Sequence, residues 1–114
     1  MELASTTRNG DIVVAVEEDR IDAAVAVAFK DAMREFLAGP HDRLILDMSK
    51  VEFVDSSGLG AIVAVLKEKD EAKGLALAGL TLGVEKVFRL TRMDSVFTIY
   101  PDVDDAFSGV AHAS

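Results

Sequence analysis

The sequence contains no cysteine. Disulfides, thiolate metal sites, iron–sulfur clusters and a cysteine nucleophile are therefore excluded. Histidine is scarce: His41 and His112 are the only two, too few for a histidine-rich metal centre. Basic residues are in deficit as well. Twelve Lys and Arg stand against 20 Asp and Glu, leaving a net charge of −8. That balance repels phosphate backbones and anionic headgroups, which argues against partners such as nucleic acid or a membrane surface. Long apolar runs are missing too. The longest, Ala23 to Phe29, has seven residues, whereas a spanning helix needs roughly 20. No basic segment leads into an apolar stretch, so no signal peptide is read. Internal repeats and low-complexity linkers are absent. These absences lead to the expectation of a soluble cytoplasmic protein.

What remains is ordinary globular material. The chain has 114 residues, half of them hydrophobic and 28% charged, enough for one domain with a real core. We read residues 1–114 as a single domain with its core over about residues 9–110 and a loose tail at 111–114.

Strand and helix patterns alternate along the chain. Asp11 to Glu17 is Val-rich and follows Asn9-Gly10, a turn signal. A shorter strand near Glu2 to Thr6 would complete an N-terminal hairpin. Ile21, Val25, Phe29, Met33, Phe36 and Leu37 recur at helical spacing. Asp22 is the expected N-cap of that helix, and Gly39-Pro40 its end. Arg43 to Met48 reads as a buried strand, and Val51 to Val54 continues toward a loop. A second helix follows Asp55-Ser56-Ser57-Gly58, with Leu59, Ile62, Val63 and Leu66 on one face, and Gly74 stops it. Leu75 to Ala78 is a short inner strand, and Val84, Val87, Phe88 and Thr91 mark a third helix. Phe97 to Tyr100 is a last strand, and Pro101-Asp102 opens a final helix through Ala106 and Phe107.

The order ββαβαβαβα implies an α/β fold: a mixed β-sheet of about four to five strands with about four helices, mostly on one face. The 16 Ala and 14 Val allow the close helix–sheet approach of such layers.

The informative segment runs from Leu46 to Gly60. A buried strand delivers the chain to a polar turn, and the turn opens a helix. A helix start carries free N–H groups and about half a positive charge. Asp55, Ser56 and Ser57 are all natural capping residues. If one caps, the others remain near the surface, where a hydroxyl is accessible beside N–H groups that suit an anion. Ser56 or Ser57 is thus a plausible phosphate acceptor. On chemistry alone an ordinary capped helix start is the favoured reading of the pattern. Gly58-Leu59-Gly60 lacks the third glycine and the Lys-Ser/Thr pair of nucleotide loops. A serine hydrolase would need G-x-S-x-G and a nearby histidine, and neither is seen. Asp47, Glu52 and Asp55 are read as solvated acids, not a catalytic pair.

The stretch L-D-M-S-K-V-E-F-V-D-S-S-G-L-G resembles the signature of STAS-domain anti-sigma factor antagonists. The likeness extends through L-A-L-A-G-L, V-F-R-L-T-R-M-D-S-V-F-T-I-Y and D-V-D-D-A-F, about residues 9–110. One departure is Glu18-Asp19-Arg20, where many members carry Gly. The resemblance implies a substrate and switch without catalytic activity of its own, needing no cofactor and no metal. Its partners would be an ATP-dependent anti-sigma factor serine kinase and a metal-dependent serine phosphatase. The kinase would phosphorylate Ser56. The unphosphorylated form would bind the kinase and free a sigma factor, and the phosphorylated form would let go. The partner-binding residues would be Asp55, Ser56, Ser57, Gly58, Leu59 and Gly60, with the exposed side of the helix to Asp70 beside them. The surface from Gly10 to Asp22 is a weaker candidate. Ser57 is expected to cap, with Asp55 assisting, and Leu59 to turn inward. Lys67, Lys69, Lys73, Lys86, Arg89 and Arg92 are read as a solvated basic face. The alternative implied by the same family is a STAS interaction module in another regulatory or transport assembly.

Overall fold

The computed structural model describes residues 1–69 and 74–108. The hairpin forms as the Asn9-Gly10 pair demands. Both residues have positive φ, 53° and 83°, the twist that joins two antiparallel strands without splaying them. β1 (Leu3–Arg8) and β2 (Asp11–Val16) pair from Leu3↔Val16 to Arg8↔Asp11. β4 (Arg43–Asp47), β6 (Gly74–Ala78) and β7 (Thr98–Tyr100) extend the sheet in the order β1-β2-β4-β6-β7. The pairs β2–β4, β4–β6 and β6–β7 are parallel. A second, two-stranded sheet pairs β3 (Arg20–Ile21) with β5 (Phe53–Val54), also in parallel.

Period-two alternation sorts the main sheet into two faces. Val14, Val16, Leu44, Leu46, Leu75 and Leu77 point to the larger core. Three helices cover it: α1 (Ala26–Leu37), α2 (Ser56–Glu68) and α3 (Leu82–Leu90). Phe29 and Met33 of α1, Ile62 and Val65 of α2, and Val84 and Phe88 of α3 are all buried there. Val13, Ile45, Ala76 and Ala78 point the other way, under Ala106 with Tyr100, Val103 and Phe107. The mixed sheet with its helices on one face is therefore as expected.

Several local expectations need correction. α1 does not begin at Ile21, and Asp22 does not cap it. Ile21 belongs to β3, and Val25 stands at the N-cap without a side-chain bond. Asp22 instead closes a turn, its Oδ1 accepting the Ala24 N–H at 3.1 Å. The final helix from Pro101 is only a 3-10 turn, Asp104–Phe107, and Asp102 accepts the Asp105 N–H at 2.8 Å. About four helices thus become three, plus 3-10 turns at Met93–Ser95 and Asp104–Phe107, among the described residues. Gly74 does not stop α2, which ends at Glu68; it opens β6 opposite Arg43. The tail at 111–114 lies outside the described residues.

The reverse face is closed by charge as well as by apolar contact. The Arg8 guanidinium lies 4.2 Å from the centre of the Phe107 ring and that of Arg43 5.2 Å from it. Arg8 also donates to Asp104 at 2.8 Å, and Arg43 to Asp11 at 3.0 Å and to the Ala106 carbonyl at 2.8 Å.

Candidate functional site

The polar turn is placed by the small sheet. After β4, Asp47 accepts the Ser49 N–H at 3.0 Å, and the Val51 N–H returns to the Met48 carbonyl at 3.0 Å. The chain then runs beside residues 19–21. The Glu52 N–H donates to the Asp19 carbonyl at 2.7 Å, and the Asp55 N–H reaches toward that of Ile21 at 3.4 Å. Lys50 pairs with Glu17 in the same neighbourhood, and its ammonium pKa is raised, first by that hydrogen bond and then by the carboxylate's charge. On the other side Thr81 donates its hydroxyl to the Val51 carbonyl at 2.8 Å, tying the α3 entrance to the turn.

Asp55 makes the transition to helix. Its backbone is extended (φ −91°, ψ −176°), as an N-cap must be. One carboxylate oxygen, Oδ1, accepts the Gly58 N–H at 2.8 Å. The other, Oδ2, accepts the Ala23 N–H at 3.1 Å. The two carboxylate oxygens join the start of α2 to the segment before α1. Asp55 is thus the cap, and the expectation that Ser57 would take that role is wrong. The helix begins two residues earlier than a Ser57 cap requires.

Ser56 and Ser57 are then the first two helical residues, and both are exposed. Neither hydroxyl bonds to another described residue, so the fold makes no use of them. Gly58 is buried. A β-carbon there would stand 1.9 Å from the Ile21 carbonyl oxygen, so glycine is needed for the helix to approach β3. Gly60 is different. It is exposed, and a β-carbon there would meet nothing within 4 Å. Leu59 is half-buried against the larger core, inward as expected. The buried stripe of α2 is Gly58, Ala61, Ile62 and Val65. Leu59, Val63 and Leu66 only flank it, so the expected face is rotated. The close approach at Gly58 sets that rotation.

Phe53 went unnoticed as a surface residue. It is about half exposed, 48%, on β5, with the Arg20 guanidinium 5.5 Å from its ring centre. The alternation of buried Val54 with outward Phe53 was the available signal. The described basic residues lie on different elements. Arg89 pairs with Glu85 within α3 at 3.2 Å, Arg92 stands in a left-handed turn after it (φ 61°), and Lys67 is exposed at the end of α2. Lys73 and Asp70 lie outside the described residues. At the far end of α2, Glu68 meets Arg34 of α1 at 2.9 Å. The hydrogen bond from Arg34, then its charge, hold the Glu68 carboxyl below the ordinary glutamate range. Among the described residues no group of three or more His, Cys, Asp or Glu is arranged to hold a metal ion, and no helix is long and apolar enough to cross a membrane.

This geometry can be compared with known proteins. The STAS domain family matches residues 2–106. The chain belongs to the STAS family of anti-sigma factor antagonists. A Thermotoga maritima protein named as an anti-sigma factor antagonist is 32% identical over 102 residues, covering 88% of this chain and 90% of that protein. The anti-sigma-F factor antagonist RsfB of Mycobacterium tuberculosis is 26% identical over 102 residues, covering 90% and 83%. The crystal structure of an anti-sigma factor antagonist from Mycobacterium paratuberculosis superposes with a TM-score of 0.85 at 28% identity, covering 96% of this chain and 92% of that one. This STAS domain therefore sits in a family of regulators, not of catalysts.

Proposed function

We propose that this STAS domain is an anti-sigma factor antagonist that works by partner switching, with Ser56 as the phosphorylated residue. Its unphosphorylated form binds an anti-sigma factor that is also an ATP-dependent serine kinase, and so frees a sigma factor. Phosphorylation ends that binding, and a serine phosphatase restores it. The cycle runs in the cytoplasm, where those partners act.

One observation carries the reading. Ser56 is exposed at the first helical position while Asp55 supplies the cap. The hydroxyl can be esterified without removing a bond the fold needs. A phosphate adds roughly −1.5 to −2 charges, which the free N–H groups of the first turn tolerate. The fold is expected to change little. The cost falls on the complex, where the anion would be desolvated beside the Asp55 carboxylate. A penalty of about 3 kcal/mol weakens binding on the order of a hundredfold.

Two neighbours extend the binding surface. Gly60 disfavours a helix interior, and nothing inside the domain requires it. A partner approaching the backbone of α2 would. Phe53 offers an exposed aromatic face two residues before Asp55, the residue type enriched where proteins meet. The proposed surface is thus Phe53, Asp55, Ser56, Ser57, Leu59 and Gly60, with Gly58 setting its shape from beneath.

Incubation with the cognate kinase and ATP, followed by mass spectrometric mapping, tests the phosphorylation. Phosphate on Ser56 is expected, and none there would sink the switch. Ser56→Ala should retain kinase binding while Ser56→Asp weakens it. Equal affinities would count against the interface argument.

A further inference from the structure

The two edges of the five-stranded sheet are built differently. β7 is three residues long and is followed by Pro101. Short length and proline are devices that keep an edge from pairing with another chain. β1 has neither. It runs for six residues, Leu3–Arg8, in unbroken register with β2, so no bulge interrupts it. It holds no Pro and no Lys, and Ala4 to Arg8 are exposed.

The hairpin fixes which main-chain groups remain open. The Glu17 N–H donates to the Glu2 carbonyl at 3.0 Å, so Glu2 and Glu17 form a hydrogen-bonded pair. Bonded and non-bonded pairs alternate along an antiparallel ladder. Ala4, Thr6 and Arg8 therefore share the phase of Glu2 and turn their main-chain groups to β2. Leu3, Ser5 and Thr7 turn theirs outward. Leu3 packs on the helix-side core, so Ala4, Thr6 and Arg8 project from the reverse face, where Arg8 lies over Phe107.

We infer that β1 is a docking edge for a second copy of this chain, the two β1 strands pairing antiparallel about Ser5. In that register Leu3 faces Thr7 of the other copy and Ser5 faces Ser5. Every open N–H and C=O of these residues finds a partner. Ala4 faces Thr6, and Glu2 faces Arg8. That last pair is non-hydrogen-bonded, the kind in which side chains come closest, and the two-fold axis produces it twice. Sliding the strands by two residues separates Glu2 from Arg8. Sliding by one sets open groups against groups already used by β2. Charge and hydrogen bonding thus select the same register. Arg8 also holds Asp104, but a guanidinium carries five N–H donors in a fork and can serve both carboxylates. The net charge of −8 per chain opposes association, and a strand pair buries little surface, so the dimer belongs to high concentration.

Sedimentation of the intact chain up to about 1 mM, with amide hydrogen exchange followed by NMR, tests this. The weight-average mass should rise toward twice the monomer. Exchange at Leu3, Ser5 and Thr7 should slow with concentration, while Ala4 and Thr6 change little. Ser5→Pro removes an outward N–H and no β2 bond, so it should keep the circular dichroism spectrum and abolish the dimer. Glu2→Arg sets like charges opposite each other twice and should weaken the dimer about tenfold. A monomer throughout the series overturns the inference. So does a dimer that survives both substitutions, or protection without the alternating pattern.

Discussion

Gly58 and Ile21 are in closer contact than any side chain would allow. A β-carbon on Gly58 would stand 1.9 Å from the Ile21 carbonyl oxygen and 2.7 Å from its carbonyl carbon. The obstacle is backbone, held in the β3–β5 ladder, so it cannot swing aside. Gly58→Ala should therefore destabilise the domain by about 3 kcal/mol or more, as overpacking against a fixed neighbour does. Urea denaturation measures it. A loss below about 1 kcal/mol would show that the α2 start can shift freely.

Asp55 supports two elements at once. Losing an N-cap costs about 1 kcal/mol, up to about 2, and Asp55→Ala also orphans the Ala23 N–H. We expect a loss of about 2 kcal/mol, at the upper end of the capping range. Asp55→Asn, which keeps one acceptor oxygen, should recover part of it. Thermal melts of the two variants give the comparison. Equal melting temperatures in the two variants would mean that the retained oxygen restores nothing, and an Asp55→Asn variant as stable as the parent would mean that the second link, to Ala23, contributes nothing.

Gly60→Ala separates stability from function. With open space around the new methyl, helix propensity alone should stabilise the fold by about 0.5–1 kcal/mol. Under the proposed function the same methyl should weaken binding to the anti-sigma factor. Calorimetric titration beside a denaturation curve reads both. A variant that is more stable and binds unchanged would remove Gly60 from the interface.

The Arg34–Glu68 bridge between α1 and α2 has a definite pH signature. The folded Glu68 pKa is depressed, mainly through the Arg34 hydrogen bond. The bridge therefore stabilises the fold above the ordinary glutamate range and ceases to do so as pH falls through the lowered folded value. Both side chains are solvated, so the effect is small. Arg34→Gln should raise the Glu68 titration midpoint in carboxyl-detected NMR. It should also remove a stability difference seen at neutral pH but not in strong acid. An unmoved midpoint would show that the bridge does not persist in solution.

The main sheet was legible because its signals are local. Asn9-Gly10 forced the hairpin, and the apolar runs Arg43 to Met48 and Leu75 to Ala78 could only be inner strands. The small sheet was not legible. Ile21 lies four residues before Val25 and eight before Phe29, so it fits the α1 stripe. What pulls it out is pairing with Val54 across 33 positions, and no local pattern encodes that. The cap was misassigned for a related reason. Asp55, Ser56 and Ser57 are all good caps, and the choice depends on where Gly58 meets Ile21. Pro101-Asp102 does begin a helical turn, but the segment is held flat against the sheet by Phe107, Arg8 and Arg43. For Ser56 itself, the sequence motif placed it correctly at the helix entrance, while its independence from the fold became visible only once Asp55 had been placed.

The carboxylate that caps α2 grips a peptide more than thirty residues upstream. A fragment beginning after that peptide could still coil, yet its serine would sit on an entrance with no anchor. Any enzyme that recognises the shape of this corner, and not the bare D-S-S-G string, would pass over nascent or damaged chains and act only on finished ones.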